Sequence, residues 1–340
     1  MSVSSDSFMS EFSVESFVST TTFETTSGVI TNTTTSDSME SVSETVYDFT
    51  PVQSPPKQRL GFHFYCWIIA FFFWHFDFYL FLIFFSHADS LSIMYMLFCF
   101  QFPWFMALTS LYWTVSTPRA DYPSWCLIPT CFIGLPKNHE TNEILADYAK
   151  RRLGSRVQYR KVGKNQLAVP LYCDRCQIFK AQHVHHCDRC NQCFGRMDHH
   201  CFGFGYCIHF HNHKAFLLFL FWSSILCITA IRFMAPELLP MAYRRWKTPA
   251  KSPIETLFFK IVFVGFINAF VGAVGLIKLQ IKNWKMLSKN ETTIESDENK
   301  RQPSVVKSLE NIMVVMGSNP LLWFWPIPTS VGNGYNFSTK

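Results

Sequence analysis

The sequence predicts an all-α polytopic membrane protein, with four transmembrane helices and a cysteine-rich module between the second and the third. Two observations predict this fold class. Of the 340 residues 49% are hydrophobic, and they are concentrated in four blocks. Between the second and third blocks, the stretch from His185 to His213 holds five of the twelve cysteines and seven of the twelve histidines.

The N-terminal residues 1–58 come first and are rich in Ser and Thr, with few Lys or Arg. Such a composition buries too little apolar surface to offset the entropy of ordering, so a disordered tail is expected. The tail lacks the basic region and apolar run of a secretory signal. The first membrane helix is therefore expected to target the chain.

The apolar blocks are long enough to cross a bilayer. Leu60–Phe85 and Leu91–Val115 each hold about 25 residues, which as a helix span roughly 37 Å, against a hydrocarbon core of ~30 Å. Phe216–Phe233 and Leu257–Ile281 are two further candidates. An alternative for one of the later pair is a buried helix of a soluble domain.

These helices divide the rest of the chain. The predicted regions are 59–115 for the first two transmembrane helices, 116–213 for a cytosolic segment with the cysteine-rich module at about 171–213, 214–281 for the last two helices, and 282–340 for a cytosolic C-terminal tail.

Basic residues near the helix ends predict the orientation. Lys57 and Arg59 precede the first helix and three lysines follow the fourth, whereas the link Ser86–Ser90 has neither Lys nor Arg. Both termini and the central segment are therefore expected in the cytosol. Four basic residues in the predicted outer loop Ala235–Glu255 oppose this orientation. The net charge of +6 is explained by anionic lipid headgroups, so no nucleic-acid partner is needed.

Cytosolic thiols stay reduced, so clustered cysteines there favour metal binding or catalysis over disulfides. Cys173-x2-Cys176, followed by Cys187-x2-Cys190-x2-Cys193, has the spacing of zinc ligands. Six cysteines and two histidines suffice for two tetrahedral ions, but spacing does not decide which ligands share an ion. With little apolar content, the module would depend on metal ligation for much of its folding free energy. Further candidate ligands are His183, His185, His186, His199, His200 and Cys207.

Once six cysteines and two histidines fill two metal sites, Cys201 is not needed as a ligand. It directly follows Asp198 and two histidines in the sequence. A free thiol has a pKa of about 8.5 and needs a neighbouring base to act as a nucleophile near neutral pH. His199 can be that base, and Asp198 can hold its imidazole in the required tautomer. Cys201 is therefore either a nucleophile or a spare ligand.

These residues resemble the DHHC protein S-acyltransferases, or palmitoyltransferases. The Asp-His-His-Cys sequence ending at Cys201 lies in a cysteine-rich frame between the second and third of four spans. The Thr-Thr-Ile-Glu sequence ending at Glu295 matches the TTxE motif of that family, and Asn212 and Phe216 stand where the family has Asn and Phe.

The resemblance implies transfer of a long-chain acyl group, above all palmitoyl, from acyl-CoA through a Cys201 thioester to membrane-proximal cysteines of substrate proteins. His199 would act as base and acid, Asp198 would orient it, and Lys180 would help to hold the phosphates of the donor. The implied ligands of two structural zinc ions are Cys173, Cys176, His186 and Cys193 for one, and Cys187, Cys190, His200 and Cys207 for the other.

The chain departs from the family pattern around the catalytic cysteine. Phe202-Gly203 stands where the family has Pro-Trp, Gly205-Tyr206 replaces a pair of asparagines, and His183 replaces an arginine. A catalytically weak or inactive, zinc-stabilised membrane scaffold is therefore the alternative function. The expected location is an endomembrane (ER or Golgi) or the plasma membrane. A nucleic-acid partner is not expected because the module lacks a basic recognition helix.

Overall fold

The computed structural model describes residues 62–84, 86–136, 138–163, 166–248, 252–297 and 308–335. The predicted tail at 1–58 lies outside the described residues. Four of the described helices, α1, α2, α4 and α5 below, are long and apolar enough to cross a membrane, which confirms the predicted fold class. In chain order the helices are α1 Phe62–Phe84, α2 Ser90–Ser116, α3 His139–Arg152, α4 Phe210–Lys247, α5 Pro253–Ser288, α6 Thr293–Asp297 and α7 Ser308–Met316.

The third span is longer than predicted. The prediction of a loop at 235–255 is wrong for most of this range, which is helical. Helix α4 continues through two prolines to Lys247, which leaves only residues 248–252 between α4 and α5. A proline inside a helix costs about 3 kcal/mol or more. Met234 and Leu238 are buried in the core, and this packing offsets the cost.

Part of the basic charge at this end of α4 is paired within the protein. Arg245 forms an ion pair with Glu255, and its guanidinium lies 4.6 Å from the centre of the Phe259 ring. This pairing reduces the charge that opposes the predicted orientation.

Aromatic side chains form much of the core of the transmembrane bundle, which is built from α1, α2, α4 and α5. Phe78 of α1 stacks on Phe100 of α2 with ring centres 4.0 Å apart. The indole of Trp104 donates a hydrogen bond to the carbonyl of Phe71, at 3.0 Å. Such bonds satisfy polar groups where no water is available.

Antiparallel hairpins follow α3 along the chain. The strands are β1 Tyr159–Val162 with β2 Leu167–Pro170, β3 Tyr172–Cys173 with β4 Ile178–Phe179, β5 His185–Cys187 with β6 Gln192–Phe194, and β7 His199–Cys201 with β8 Tyr206–Ile208. The last three pairs form the cysteine-rich module.

The three hairpins of the module repeat one local structure. Cys173, Cys187 and Cys201 are equally spaced along the chain, and each ends the first strand of its hairpin. The turns repeat as well, because Gln177, Asn191 and Gly205 each have a positive φ, of 53°, 50° and 67°. These three turn residues are also equally spaced along the chain. A left-handed backbone conformation favours Gly or Asn at such positions.

Asn212 joins the module to the transmembrane bundle. Its side-chain carbonyl accepts from the backbone N–H of His209 at 2.8 Å, which completes a capping box at the start of α4. Its amide donates to the carbonyl oxygens of Thr114 on α2 at 2.9 Å and of Cys207 on β8 at 3.0 Å. One buried side chain therefore fixes the module against two membrane helices.

Candidate active site and metal centres

Two groups of four side chains meet within the module. In each group the ligand atoms all lie within 4.8 Å of one another. The groups coincide with the two ligand sets that the family resemblance implies. They are Cys173, Cys176, His186 and Cys193, and Cys187, Cys190, His200 and Cys207.

The distances within both groups fit a tetrahedral zinc ion. His186 Nδ1 lies 3.3–3.7 Å from the three thiol sulfurs of its group, and His200 Nδ1 lies 3.4–3.6 Å from those of the other. Zinc–sulfur bonds of about 2.3 Å and zinc–nitrogen bonds of about 2.0–2.1 Å place neighbouring ligand atoms roughly 3.5–3.8 Å apart.

The electrostatics of the first group also favour a cation. Hydrogen bonds from Cys176 and Cys193 lower the pKa of Cys173, and the bond with Cys173 raises the pKa of Cys193. Thiols this close compete for a single negative charge. A divalent cation removes the conflict because it binds them all as thiolates.

Each group draws its ligands from two successive hairpins. The first hairpin gives Cys173 and Cys176 to a group that the second hairpin completes, and the second and third hairpins combine in the same way. Cys201 is the first cysteine of the third hairpin, and this hairpin is followed directly by α4. In addition, Phe204 stands where the earlier hairpins have Cys176 and Cys190. Cys201 therefore belongs to neither group.

Asp198 and His199 form a hydrogen-bonded pair beside this thiol. His199 Nδ1 donates to Asp198 Oδ2 at 2.7 Å, and the carboxylate is fully buried. Burial opposes ionisation of Asp198 most strongly, but the hydrogen bond from His199, the charges of His213 and His199 and the backbone hydrogen bond from Thr293 together outweigh burial. They hold the pKa of the carboxyl well below its usual range. Burial likewise lowers the pKa of His199, but Asp198 and then Cys201 raise it to about 9. The pair thus favours an imidazolium next to the thiol.

The Thr-Thr-Ile-Glu sequence caps α6. Glu295 N donates to Thr292 Oγ1 at 3.3 Å, and Thr292 N donates to Glu295 Oε2 at 3.0 Å. These reciprocal bonds are a capping box, in which a Thr and a Glu three residues later satisfy the free N–H groups of a helix start.

The same short helix also holds Asp198. Thr293 N donates to Asp198 Oδ1 at 2.9 Å, and Thr293 Oγ1 donates to Asp198 Oδ2 at 3.0 Å. The remaining oxygen of Glu295 contacts His183 of the module. The segment after α5 therefore orients the acid of the Asp198–His199 pair from outside the module.

Arg196 lies beneath Asp198, and sequence reasoning missed it. Its side chain is fully buried and donates to His213 Nδ1 at 3.0 Å and to Asn290 Oδ1 at 3.5 Å. Its charge faces the carboxylates of Asp198 and Glu295. An arginine two residues before Asp198 could have signalled this role, but its buried partners come from α4 and from the segment that follows α5.

Cys201 lies where the module meets the transmembrane bundle. Its side chain packs against the hydrophobic core of the bundle. Trp67 of α1 donates from its indole to the carbonyl of Gly203 at 2.7 Å, and the ring of Phe216 meets that of His199 edge to face at 5.7 Å. Trp67 carries no signal in the sequence, because its contact joins residues far apart in the chain.

Lys180 directly follows β4, the second strand of the first hairpin of the module. Its backbone N–H donates to Leu171 at 2.7 Å, and its carbonyl accepts from Gln158 at 2.8 Å. Its side chain is partly exposed. Its role in holding an acyl donor stays a prediction.

The family resemblance implies acylation of Cys201, and we expect Thr293→Val to slow this step about tenfold, because Asp198 loses one hydrogen bond to a charged group. Thr293→Ser retains the hydroxyl and should react at nearly the wild-type rate. Single-turnover labelling with acyl-CoA measures both rates. Equal rates for the Val variant and the wild type would show that Thr293 does not orient Asp198.

Comparison with known proteins identifies the domain that contains the cysteine-rich module. The model of the family described as DHHC palmitoyltransferase matches residues 168–300. Palmitoyltransferase ZDHHC20-A of Danio rerio is 29% identical over 254 residues, which are 72% of this chain and 66% of that protein. Palmitoyltransferase ZDHHC20-B of Danio rerio is 27% identical over 75% of this chain and 78% of that protein. Palmitoyltransferase ZDHHC20 of Bos taurus is 36% identical over 50% of this chain and 46% of that protein.

The match covers the cysteine-rich module, α4, α5 and α6, and so includes both groups of metal ligands, Cys201 and the Thr-Thr-Ile-Glu sequence. The alignments to ZDHHC20-A and to the Bos taurus protein span 66% and 46% of those proteins. Four apolar helices make the chain a multi-pass membrane protein. Residues 168–300 of this chain therefore form a domain of the DHHC palmitoyltransferase family.

Proposed function

We propose that the protein is an S-acyltransferase that moves a long-chain acyl group, above all palmitoyl, from acyl-CoA to cysteines of substrate proteins. One observation carries the proposal. The side chain of Cys201 lies outside both metal groups, next to the Asp198–His199 pair, and packs against the core of the transmembrane bundle. A thiol placed there meets a base on one side and an apolar environment on the other.

The proposed reaction has two steps, and each transfers the acyl group from one sulfur to another. In the first, the Cys201 thiolate attacks the thioester carbonyl carbon, the bond to the CoA sulfur breaks, and His199 gives a proton to the departing thiolate. In the second, His199 takes the proton of a substrate thiol, whose sulfur attacks the acyl-enzyme. Cys201 leaves as a thiolate and is ready for the next cycle.

The two groups of metal ligands would hold zinc in a structural role. Four protein ligands saturate each ion, so no position is open for water or substrate. When bound, the metal supplies cross-links between successive hairpins. His200 is a ligand of the second group, and it fixes the strand that carries His199 and Cys201.

The acyl chain would bind beside Cys201 within the transmembrane bundle. Trp67, Phe204 and Phe219 surround this region, with ring centres 5.2–6.0 Å apart. Burial of a hydrocarbon chain stabilises it by about 0.8 kcal/mol per CH₂. The CoA moiety would remain in water, with its phosphates near Lys180.

Incubation of the purified full-length protein with an alkyne-bearing palmitoyl-CoA tests the proposal. We expect a covalent label that neutral hydroxylamine removes, because hydroxylamine cleaves thioesters. A substrate peptide with a membrane-proximal cysteine should then take the label from the enzyme. A protein that binds two zinc ions and takes no label would contradict the proposal and favour the scaffold alternative.

The departures next to Cys201 motivate that alternative, yet they are accommodated in the fold. Arg189 lies 4.1 Å from the centre of the Phe202 ring. Gly205 adopts a φ of 67°, and a Cβ there would lie 2.6 Å from the ring of His63. The Asp198–His199 pair keeps its hydrogen bond. The site therefore retains the groups that acyl transfer needs.

We further propose that the module and both termini face the cytosol. Asn32, Asn290 and Asn336 each lie in a glycosylation sequon, and we expect none of them to be modified in cells. Ala250→Asn adds a sequon between α4 and α5, on the opposite side, and should give a glycosidase-sensitive mass shift. A glycosidase-sensitive mass shift in the wild type that is lost with Asn290→Gln would show that Asn290 lies on the lumenal side, and the proposed orientation would then be wrong.

A further inference from the structure

The last turns of α5, together with the C-cap residue Lys289, carry a row of lysines on one face of the helix. Lys278, Lys282, Lys285 and Lys289 follow one another at intervals of four, three and four residues, the spacing that aligns side chains on a helix. All four are exposed. At a rise of 1.5 Å per residue the row is about 16 Å long. We call it the lysine face.

The lysine face lines a groove of about 400 Å³ next to α6. None of its four ammonium groups forms an ion pair with a described residue. Among the described residues that line the groove, Glu291 is the one acid. Four aligned cations around a groove therefore carry a charge that the described part of the protein leaves largely uncompensated.

The position of the lysine face along the membrane normal favours a lipid as its partner. Ile277, Leu279 and Ile281 are exposed on the same turns, at 38%, 41% and 49%. Helix α5 has 36 residues, which at 1.5 Å each exceed a ~30 Å hydrocarbon core by roughly 24 Å. The row thus begins at a lipid-facing surface and continues beyond it, through the depth at which headgroup phosphates lie.

We propose that the lysine face binds the phosphate groups of anionic phospholipid headgroups in the leaflet that borders the cysteine-rich module. Several aligned ammonium groups favour a headgroup with more than one phosphate over a zwitterionic one. The inference does not depend on acyl transfer, because no lysine of this face belongs to the catalytic site.

Binding of a short-chain phosphatidylinositol bisphosphate to the detergent-solubilised full-length protein tests this inference. Each lysine near an anionic surface contributes about fivefold in affinity. The triple variant Lys282→Gln, Lys285→Gln and Lys289→Gln should therefore bind the probe roughly 100-fold more weakly. A phosphatidylcholine of equal chain length should bind far more weakly than the probe.

The matched control removes the same charge from α3, with Lys150→Gln, Arg151→Gln and Arg152→Gln, which are exposed positions. We expect it to bind the probe like the wild type. Equal losses in both variants would overturn the proposal, because they would show a response to net charge alone.

Competition with free CoA tests whether the phosphates that bind the lysine face are those of the acyl donor and not those of a lipid headgroup. Displacement of the probe by CoA, together with weaker CoA binding in the lysine variant, would assign the face to the acyl donor and overturn the lipid assignment. Equal zinc content in all variants shows that they are folded.

Discussion

Replacement of Cys201 by serine is expected to abolish the hydroxylamine-sensitive label, with a loss of roughly 10⁴-fold or more in the acylation rate. A serine hydroxyl is a far weaker nucleophile than a thiol, because it is much harder to deprotonate. Cys201 is only partly exposed and packs against the bundle core, so the small change in volume should leave the fold intact.

The exposed Cys131 provides a matched control. Cys131→Ser removes one thiol outside the site and should label like the wild type. Both variants should bind the same amount of zinc as the wild type. A label that persists in Cys201→Ser and disappears on hydroxylamine treatment would place the acyl-enzyme on another cysteine, and the proposed mechanism would then be wrong.

Loss of either metal site is expected to have the second largest effect, and the two sites should differ. A structural zinc site contributes about 10–16 kcal/mol of binding free energy at neutral pH. Cys176→Ala and Cys190→Ala each remove one ligand, and we expect each to lower the zinc content from two ions per chain to one. Elemental analysis of the purified protein measures this directly.

The second site should matter more for acylation. Cys190 shares its group with His200, which lies on the same strand as His199 and Cys201, whereas the group of Cys176 lies one hairpin away. Cys190→Ala should therefore abolish labelling of Cys201, and Cys176→Ala should mainly lower the melting temperature. Retention of two zinc ions in Cys190→Ala would contradict the assignment of ligands to sites.

The way the hairpins share ligands explains how one module contains both inert and reactive thiols. The second hairpin contributes ligands to both metal groups. The third hairpin contributes only His200 and Cys207, which complete the group that begins in the second hairpin. The leading cysteine of the third hairpin is therefore spared. Because its hairpin is still cross-linked through His200 and Cys207, Cys201 is held in place without binding metal.

Composition and spacing alone determined the four membrane helices, the cysteine-rich module and the set of residues able to bind metal. These features depend on local sequence. An apolar block of sufficient length can span a bilayer, and two nearby cysteines can bind one metal ion, whatever the rest of the chain contains. The end of α4 was mispredicted for the same reason. The apolar block ends at Phe233, next to Arg232, but Leu238 is buried in the core of the bundle and α4 continues to Lys247.

Only the tertiary structure decided which ligands meet and what surrounds the catalytic thiol. Cys190 could pair with either neighbour by spacing, and the register of the hairpins brings it together with His200 and Cys207. Arg196 beneath Asp198 and Trp67 against Gly203 also emerge only in the fold. These contacts join residues far apart in the chain, and their strength comes from burial, which no single stretch of sequence contains.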